Sequence, residues 1–286
     1  MTTSSDNVGE GRLFPAMGNM SRWPWWALLI GLGAVVVVFN IFAAPAYKDA
    51  FGFISEGIIT TVRVTLTAYG LAIIGGLFLG LGRVSHNIIY YNLSTMYVEL
   101  IRGIPMLVII LYGAFVVVPL GLAIINTLGV WLAAVPLISP LGLAMQQVNI
   151  QQVDMSGRAI AGLAMGYAAF EAEVFRAGIQ SIERGQMEAA RSLGMNYVQA
   201  MRYVILPQAF RRVLPPLGND FIAILKDSSL ISVLAVRDIT QLGKLYRARS
   251  FSSFEAYNTM AFLYLSMTFS LSMLVKFIER KVSHGR

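Results

Sequence analysis

The sequence predicts an all-α integral membrane protein with about six transmembrane helices and a pair of short cytoplasmic helices. Three observations carry this expectation. Hydrophobic residues make up 56% of the 286 positions and charged residues only 13%, with a mean hydropathy of +0.65, whereas a soluble domain carries about 25% charged residues. Apolar stretches near the roughly 20 residues needed to cross the hydrocarbon core recur along the chain. Among them lies one polar, basic segment, residues 185–207, whose apolar positions repeat with helical period.

Composition removes several function classes. The chain has no Cys, so disulfides, thiolate nucleophiles and Cys-ligated metals are absent. Its two histidines, His86 and His284, form no metal-ligand pattern. The net charge of +7 fits basic cytoplasmic loops of a membrane protein better than a nucleic-acid surface.

Residues 1–22 are polar and read as a disordered cytoplasmic tail. Residues 23–46 form the first span, an N-terminal addition, with Trp23, Trp25 and Trp26 at its mouth as an interfacial aromatic belt. A cleaved signal peptide ending at Ala44-Pro45-Ala46 fits less well, because the apolar run is long and the leading tail contains Asp6 and Glu10. Ser55–Arg83 is the next span, and its Gly76 and Gly80 form a G-x-x-x-G that permits close helix approach. Asn92–Val118 follows. Glu99 and Arg102 lie three apart within it and are expected to pair.

No charged residue occurs between Gly103 and Gln152. Length would allow another crossing near Leu120–Leu143, but Pro136, Pro140 and several glycines argue against a continuous helix. A single extra crossing would also move the arginine-rich 185–207 segment outside. Residues 119–156 therefore read as an external loop or interfacial hairpin that does not cross. Arg158–Ile182, Leu217–Val236 and Ala256–Phe277 complete the spans. Lys226-Asp227-Ser228-Ser229 breaks the second of these and supplies a second expected pair, Lys226 with Asp227. The count puts both termini inside, and most Lys and Arg fall on that side.

Within 185–207, Met187, Ala190 and Leu193 share one helical face, and Val198, Met201 and Ile205 share another. Gly194 stands between, where a chain leaving a helix often takes positive φ. Pro207 is expected to end the second helix.

No G-x-x-x-x-G-K-[ST] phosphate loop is present, so the chain does not itself cradle ATP. Nor is there a nucleophile–base arrangement. Charges inside spans are costly, about 2.5–3.5 kcal/mol at mid-bilayer on insertion scales. Glu99, Arg102, Glu171, Glu173, Arg176, Lys226, Asp227 and Ser228 are thus candidates for helix pairing or for a solute path.

The string Glu188-Ala189-Ala190, Gly194, Val204, Leu206, Pro207 resembles the EAA loop of permease subunits in ATP-binding cassette importers, with Val204 where that family usually has Ile. Tyr97-Val-Glu99-Leu-Ile-Arg102-Gly103-Ile-Pro105, Glu173-Val-Phe-Arg176-Ala-Gly178-Ile and Leu225-Lys226-Asp227-Ser228-Ser229-Leu230 resemble the polar amino acid branch. The resemblance covers about residues 54–283, and implies a five-helix importer permease core. The first span and the 119–156 insert lie outside it. It further implies a bacterial cytoplasmic membrane location, a partner ATPase dimer that binds ATP and Mg, a second permease subunit and an extracytoplasmic binding protein delivering a polar amino acid. Glu188, Ala189, Ala190, Gly194, Leu206 and Pro207 are then the ATPase-coupling residues, with Glu188 as anchor and the two alanines keeping the contact flat. The chain itself is expected to hold no cofactor or metal. A self-sufficient secondary transporter or channel, and a scaffold that merely anchors an ATPase, are the alternatives.

Overall fold

The computed structural model describes residues 25–283; the expected 1–22 tail, Trp23 and His284 lie outside the described residues. In chain order the helices are α1 (Trp25–Ala43), α2 (Pro45–Ser55), α3 (Gly57–Arg83), α4 (Ile88–Arg102), α5 (Met106–Tyr112), α6 (Val118–Ala133), α7 (Ser139–Gln146), α8 (Met155–Gln180), α9 (Arg184–Ser192), α10 (Tyr197–Ala200), α11 (Leu206–Asp227), α12 (Ile239–Ser250) and α13 (Ser253–Ser283). Two π-helical turns, Gly113–Val117 and Met201–Ile205, join α5 to α6 and α10 to α11, and a 3-10 segment, Ser228–Leu234, follows α11. Among the described residues there is no strand.

Helix α8 is the centre of the bundle, packing on α3, α4, α5 and α11. Its inner positions are small: Ala159, Gly162, Ala164, Gly166, Ala168, Ala169 and Ala172 are all buried. Small side chains let helix backbones approach closely, and in lipid that contact replaces the missing hydrophobic drive. Gly80 of α3 shows the fit, since a Cβ there would lie 2.8 Å from Phe175 Cβ and 2.9 Å from the Ala172 carbonyl. Gly76 meets Glu171 and Ala172 in the same way. The G-x-x-x-G thus serves packing within the subunit. Val64, Ile110, Leu163, Ile224 and Ile231 fill the core where α3, α5, α8, α11 and the 3-10 segment converge. A second core, Ile54, Ile239, Tyr246, Met260 and Leu263, joins α2, α12 and α13.

Three helical stretches among the described residues are long and apolar enough to cross a membrane: Pro45–Arg83, Met106–Ala133 and Ser253–Lys281, with Leu28–Ala43 as a shorter apolar helix. Helices α8 and α11 miss that description because they carry the charges, and α8 can carry them because protein rather than lipid surrounds it.

Several expectations about individual elements are corrected. Residues 92–118 are not one span, since α4 stops at Arg102 and α5 begins at Met106. Pro105 offers no N–H and holds the residue before it extended, which interrupts the helix. The 120–143 stretch, by contrast, is not one continuous helix, as its prolines predict: α6 ends at Ala133 and α7 begins at Ser139, with Pro136 between them. Pro119 falls in the first turn of α6, directly after a π turn, and Pro140 falls in the first turn of α7, where a missing N–H costs least. Pro207 does not end a helix either. It sits in the first turn of α11, preceded by the Met201–Ile205 π turn, which is the kind of local register change that accommodates a proline.

Candidate functional site

The polar elbow of α9 and α10 hangs between the ends of α8 and α11. Helix α9 ends in a Schellman turn: Met195 N–H donates to the Ala190 carbonyl (3.2 Å) and Gly194 N–H to the Arg191 carbonyl (3.0 Å). Gly194 has φ +85, a conformation that favours glycine. Asn196 then starts α10 with a capping box, its side chain accepting from Gln199 N–H at 2.9 Å while Gln199 Oε1 accepts from Asn196 N–H at 2.9 Å. The elbow is tied to the body by Met187, which packs with Ile179, Ile182, Ile205 and Ala209. Gln208 Nε2 donates to Gln186 Oε1 (3.3 Å), and the Arg212 guanidinium donates to the Ser181 carbonyl.

The faces divide differently from the periodicity. Ala190 and Ile205 point inward and are buried, with Met187 and Met201 partly so. Leu193 and Val198 point outward, 81% and 70% exposed, and Glu188 and Ala189 are exposed as well. Ala190 is buried within the chain, whereas Ala189 is exposed. Leu206 is half-buried and Pro207 exposed at the start of α11.

The expected pairs also regroup. Glu99 bonds Arg83 of α3 at 3.1 Å rather than Arg102, whose guanidinium lies over the Phe170 ring at 5.9 Å. Arg83 also reaches Glu173 (3.0 Å), which is paired in turn with Arg176, and Arg176 reaches Gln180 at 2.5 Å. One arginine thereby clips α3, α4 and α8 together just above the elbow. Asp227 accepts from the Tyr167 hydroxyl (2.8 Å) while Lys226 is exposed, so these neighbours are not a pair. Ser228 is buried and donates back to the Leu225 carbonyl (2.7 Å), which gives it a local structural role.

Deeper in the bundle an acidic face forms between α8 and α11. Glu171 is fully buried and neither carboxylate oxygen has a hydrogen-bond partner. The polar groups acting on it are Asp220 of α11 and Tyr69 of α3. The Tyr69 hydroxyl is committed to the Leu217 carbonyl at 2.5 Å and its ring stacks on Phe221 with centroids 4.9 Å apart. Tyr167 and Glu171 are four apart on α8, while Asp220 and Asp227 are seven apart on α11, so each pair shares a face. Sequence reasoning missed Arg83, Tyr69, Tyr167 and Asp220. Their spacing was readable, but which helices face one another was not. Among the described residues no cluster of His, Asp or Glu suits a metal ion.

A helical membrane body with charges on its central helix, a polar elbow clamped beneath it and no phosphate loop is the membrane-spanning part of a transporter energised by another subunit. The chain belongs to the family of binding-protein-dependent transport system inner membrane components, whose profile matches residues 72–284. It is 33% identical over 238 residues to the probable amino-acid permease protein YxeN of Bacillus subtilis, covering 82% of this chain and 93% of that one. It is 31% identical to the glutamate/aspartate import permease protein GltK of Escherichia coli O157:H7, covering 81% and 94%. Among solved structures, an amino acid ATP-binding cassette transporter crystallised with histidines matches with a TM-score of 0.65 at 32% identity, covering 84% and 98%. The inward-facing MetNI methionine transporter shares the fold, with a TM-score of 0.58 at 19% identity. This chain is thus a membrane-embedded permease subunit and not an enzyme. Its family works with an ATPase and a solute-binding protein, which favours that reading over a self-sufficient carrier or channel.

Proposed function

We propose that this chain, paired with a second permease subunit, forms the path for a polar amino acid and couples it to two ATPase subunits through the elbow. The observation that carries this is the division of the elbow's faces. Met187 fixes it to the ends of α8 and α11, leaving Glu188, Leu193 and Val198 outward. A rigid helix held at both ends transmits a push that a loose loop would absorb. Two exposed apolar side chains supply contact area for the ATPase, and Glu188 supplies a charge-assisted contact to a basic group on it. ATP and its Mg bind to that partner, and both termini lie on the elbow's side of the membrane.

The amino acid follows from the names of the relatives and from the chemistry of the acidic face. Every amino acid carries an ammonium group, and Asp220 and Asp227, together with the buried Glu171, offer it carboxylates. The test is uptake into vesicles holding the complete complex, with binding protein outside and ATP inside. Glu188→Ala, present in the membrane at the wild-type level, is expected to lose solute-stimulated ATPase activity and uptake together. Uptake driven by an ion gradient in vesicles containing this chain alone would overturn the proposal.

A further inference from the structure

The insert after α5 is a separate helical hairpin with an unusual surface. Helix α6 packs on α7, whereas α5 and the Gly113–Val117 π turn pack on α8. The two arms run antiparallel in tight contact. A Cβ on Gly129 would lie 2.8 Å from the Gly142 carbonyl oxygen, and Gln146 Nε2 donates to the Gly129 carbonyl at 3.1 Å. The rest of the hairpin is open and largely apolar, with Thr127, Gln146 and Gln147 as its exposed polar residues. Ile124, Leu128 and Trp131 are exposed on α6, Leu141 and Leu143 on α7, and Leu137 at the tip is 91% exposed. At 100° per residue, the exposed positions of α6 between Leu120 and Trp131 cover more than half of its circumference.

Geometry carries the hairpin away from the bundle. Met106 sits against Gly166, well inside α8, and Gly113 against Gly162, nearer the start of that helix. The Met106–Ala133 helix has 28 residues, about 42 Å at 1.5 Å per residue, against a hydrocarbon core of about 30 Å. Upright, α6 would stand beyond the outer end of α8 in water, presenting an uncharged apolar surface that soluble surroundings do not favour. The π turn and Pro119 mark a point where helices bend.

We infer that the α6–α7 hairpin lies in the outer leaflet of the bilayer, with lipid acyl chains as its occupant. Three features select lipid over protein. Exposure runs around most of each arm, whereas a protein partner covers one face. No charge occurs between Gly103 and Gln152 to steer or orient a soluble partner. Helix α6 is also the outer half of the most apolar of the candidate spans, Met106–Ala133. Backbone polar groups within its helices are internally bonded, as hydrocarbon requires.

The chain has no Cys, so single cysteines placed at Thr127 and Leu141 report on the hairpin, with Gln151→Cys as the aqueous control. Each variant carries an environment-sensitive fluorophore in the complete complex, reconstituted into phosphatidylcholine–phosphatidylglycerol vesicles. Acyl-chain-brominated lipid is expected to quench most of the emission at Thr127→Cys and Leu141→Cys, and external iodide to quench only Gln151→Cys. Quenching of the hairpin labels by iodide would place it in water. Quenching by neither agent would place it under protein, a second copy or a binding protein. Either result overturns the inference, and both are independent of whether the complex transports an amino acid.

Discussion

Gly194 offers the sharpest test of how the elbow works. Its φ of +85 is imposed by the Schellman turn, and a Cβ added there would meet no atom within 4 Å. The cost of a side chain is therefore backbone strain alone, with no steric term. An L-residue in the left-handed region loses about 1–2 kcal/mol, and a β-branched one is more restricted still. If the turn opens to escape that strain, the Met195–Ala190 and Gly194–Arg191 bonds go with it, each worth about 0.5–1.5 kcal/mol net. The cheaper of the two routes sets the penalty, about 1–2 kcal/mol, and since 1.4 kcal/mol is about tenfold, the native elbow loses roughly tenfold in population. The series Gly194→Asn, Gly194→Ala, Gly194→Val is assayed in the reconstituted complex by solute-stimulated ATPase activity and uptake at matched membrane level. Asn tolerates the left-handed region and should stay near wild type, Ala should fall between, and Val should uncouple hydrolysis from uptake. Equal loss in all three variants would refute the reasoning, because it would mean that the site rejects bulk against a partner. Wild-type behaviour of the Val variant would do so too.

Arg83→Met should lower the melting temperature in detergent. The arm to Glu99 counts for little, because that carboxylate is 63% exposed, but losing the bond to Glu173 costs about 1.5–3 kcal/mol for a hydrogen bond to a charged group. Arg83→Lys should recover part, and an unchanged melting temperature in Arg83→Met would show that the clip holds nothing. Glu171→Leu removes a buried group without a partner, so it should melt no lower than wild type and up to about 1–3 kcal/mol more stable, while uptake falls. A lower melting temperature would mean that the carboxylate has a stabilising partner, and unchanged uptake would remove it from the solute path. For topology, Gln151→Cys and Ser192→Cys should react with an impermeant thiol reagent from opposite sides of sealed membranes; same-side labelling would require another crossing.

Much of this protein is written in local sequence. Scarce charge and long apolar runs dictate helices in lipid, because only a helix or a closed barrel satisfies every backbone polar group there. The helical elbow was legible as well. The Glu188-Ala189-Ala190…Gly194 string and the positive φ of Gly194 are short-range properties, set by residues within one turn of each other. What local pattern could not decide is which faces meet. Period alone put Leu193 with Met187 and Val198 with Ile205, but once the elbow is docked on the body Leu193 and Val198 are left exposed. Three-residue spacing paired Glu99 with Arg102, yet Arg83, distant in sequence, is nearer in space and takes the carboxylate. Prolines marked helix ends, but π turns and first-turn placement carried the chain through Pro119 and Pro207. The acidic face of Glu171, Asp220 and Asp227 likewise exists only once α8 and α11 are packed together. A side chain's partners are chosen by distance after the backbones have docked, and that docking was decided by small residues such as Gly76 and Gly80, whose role is to let another helix come close.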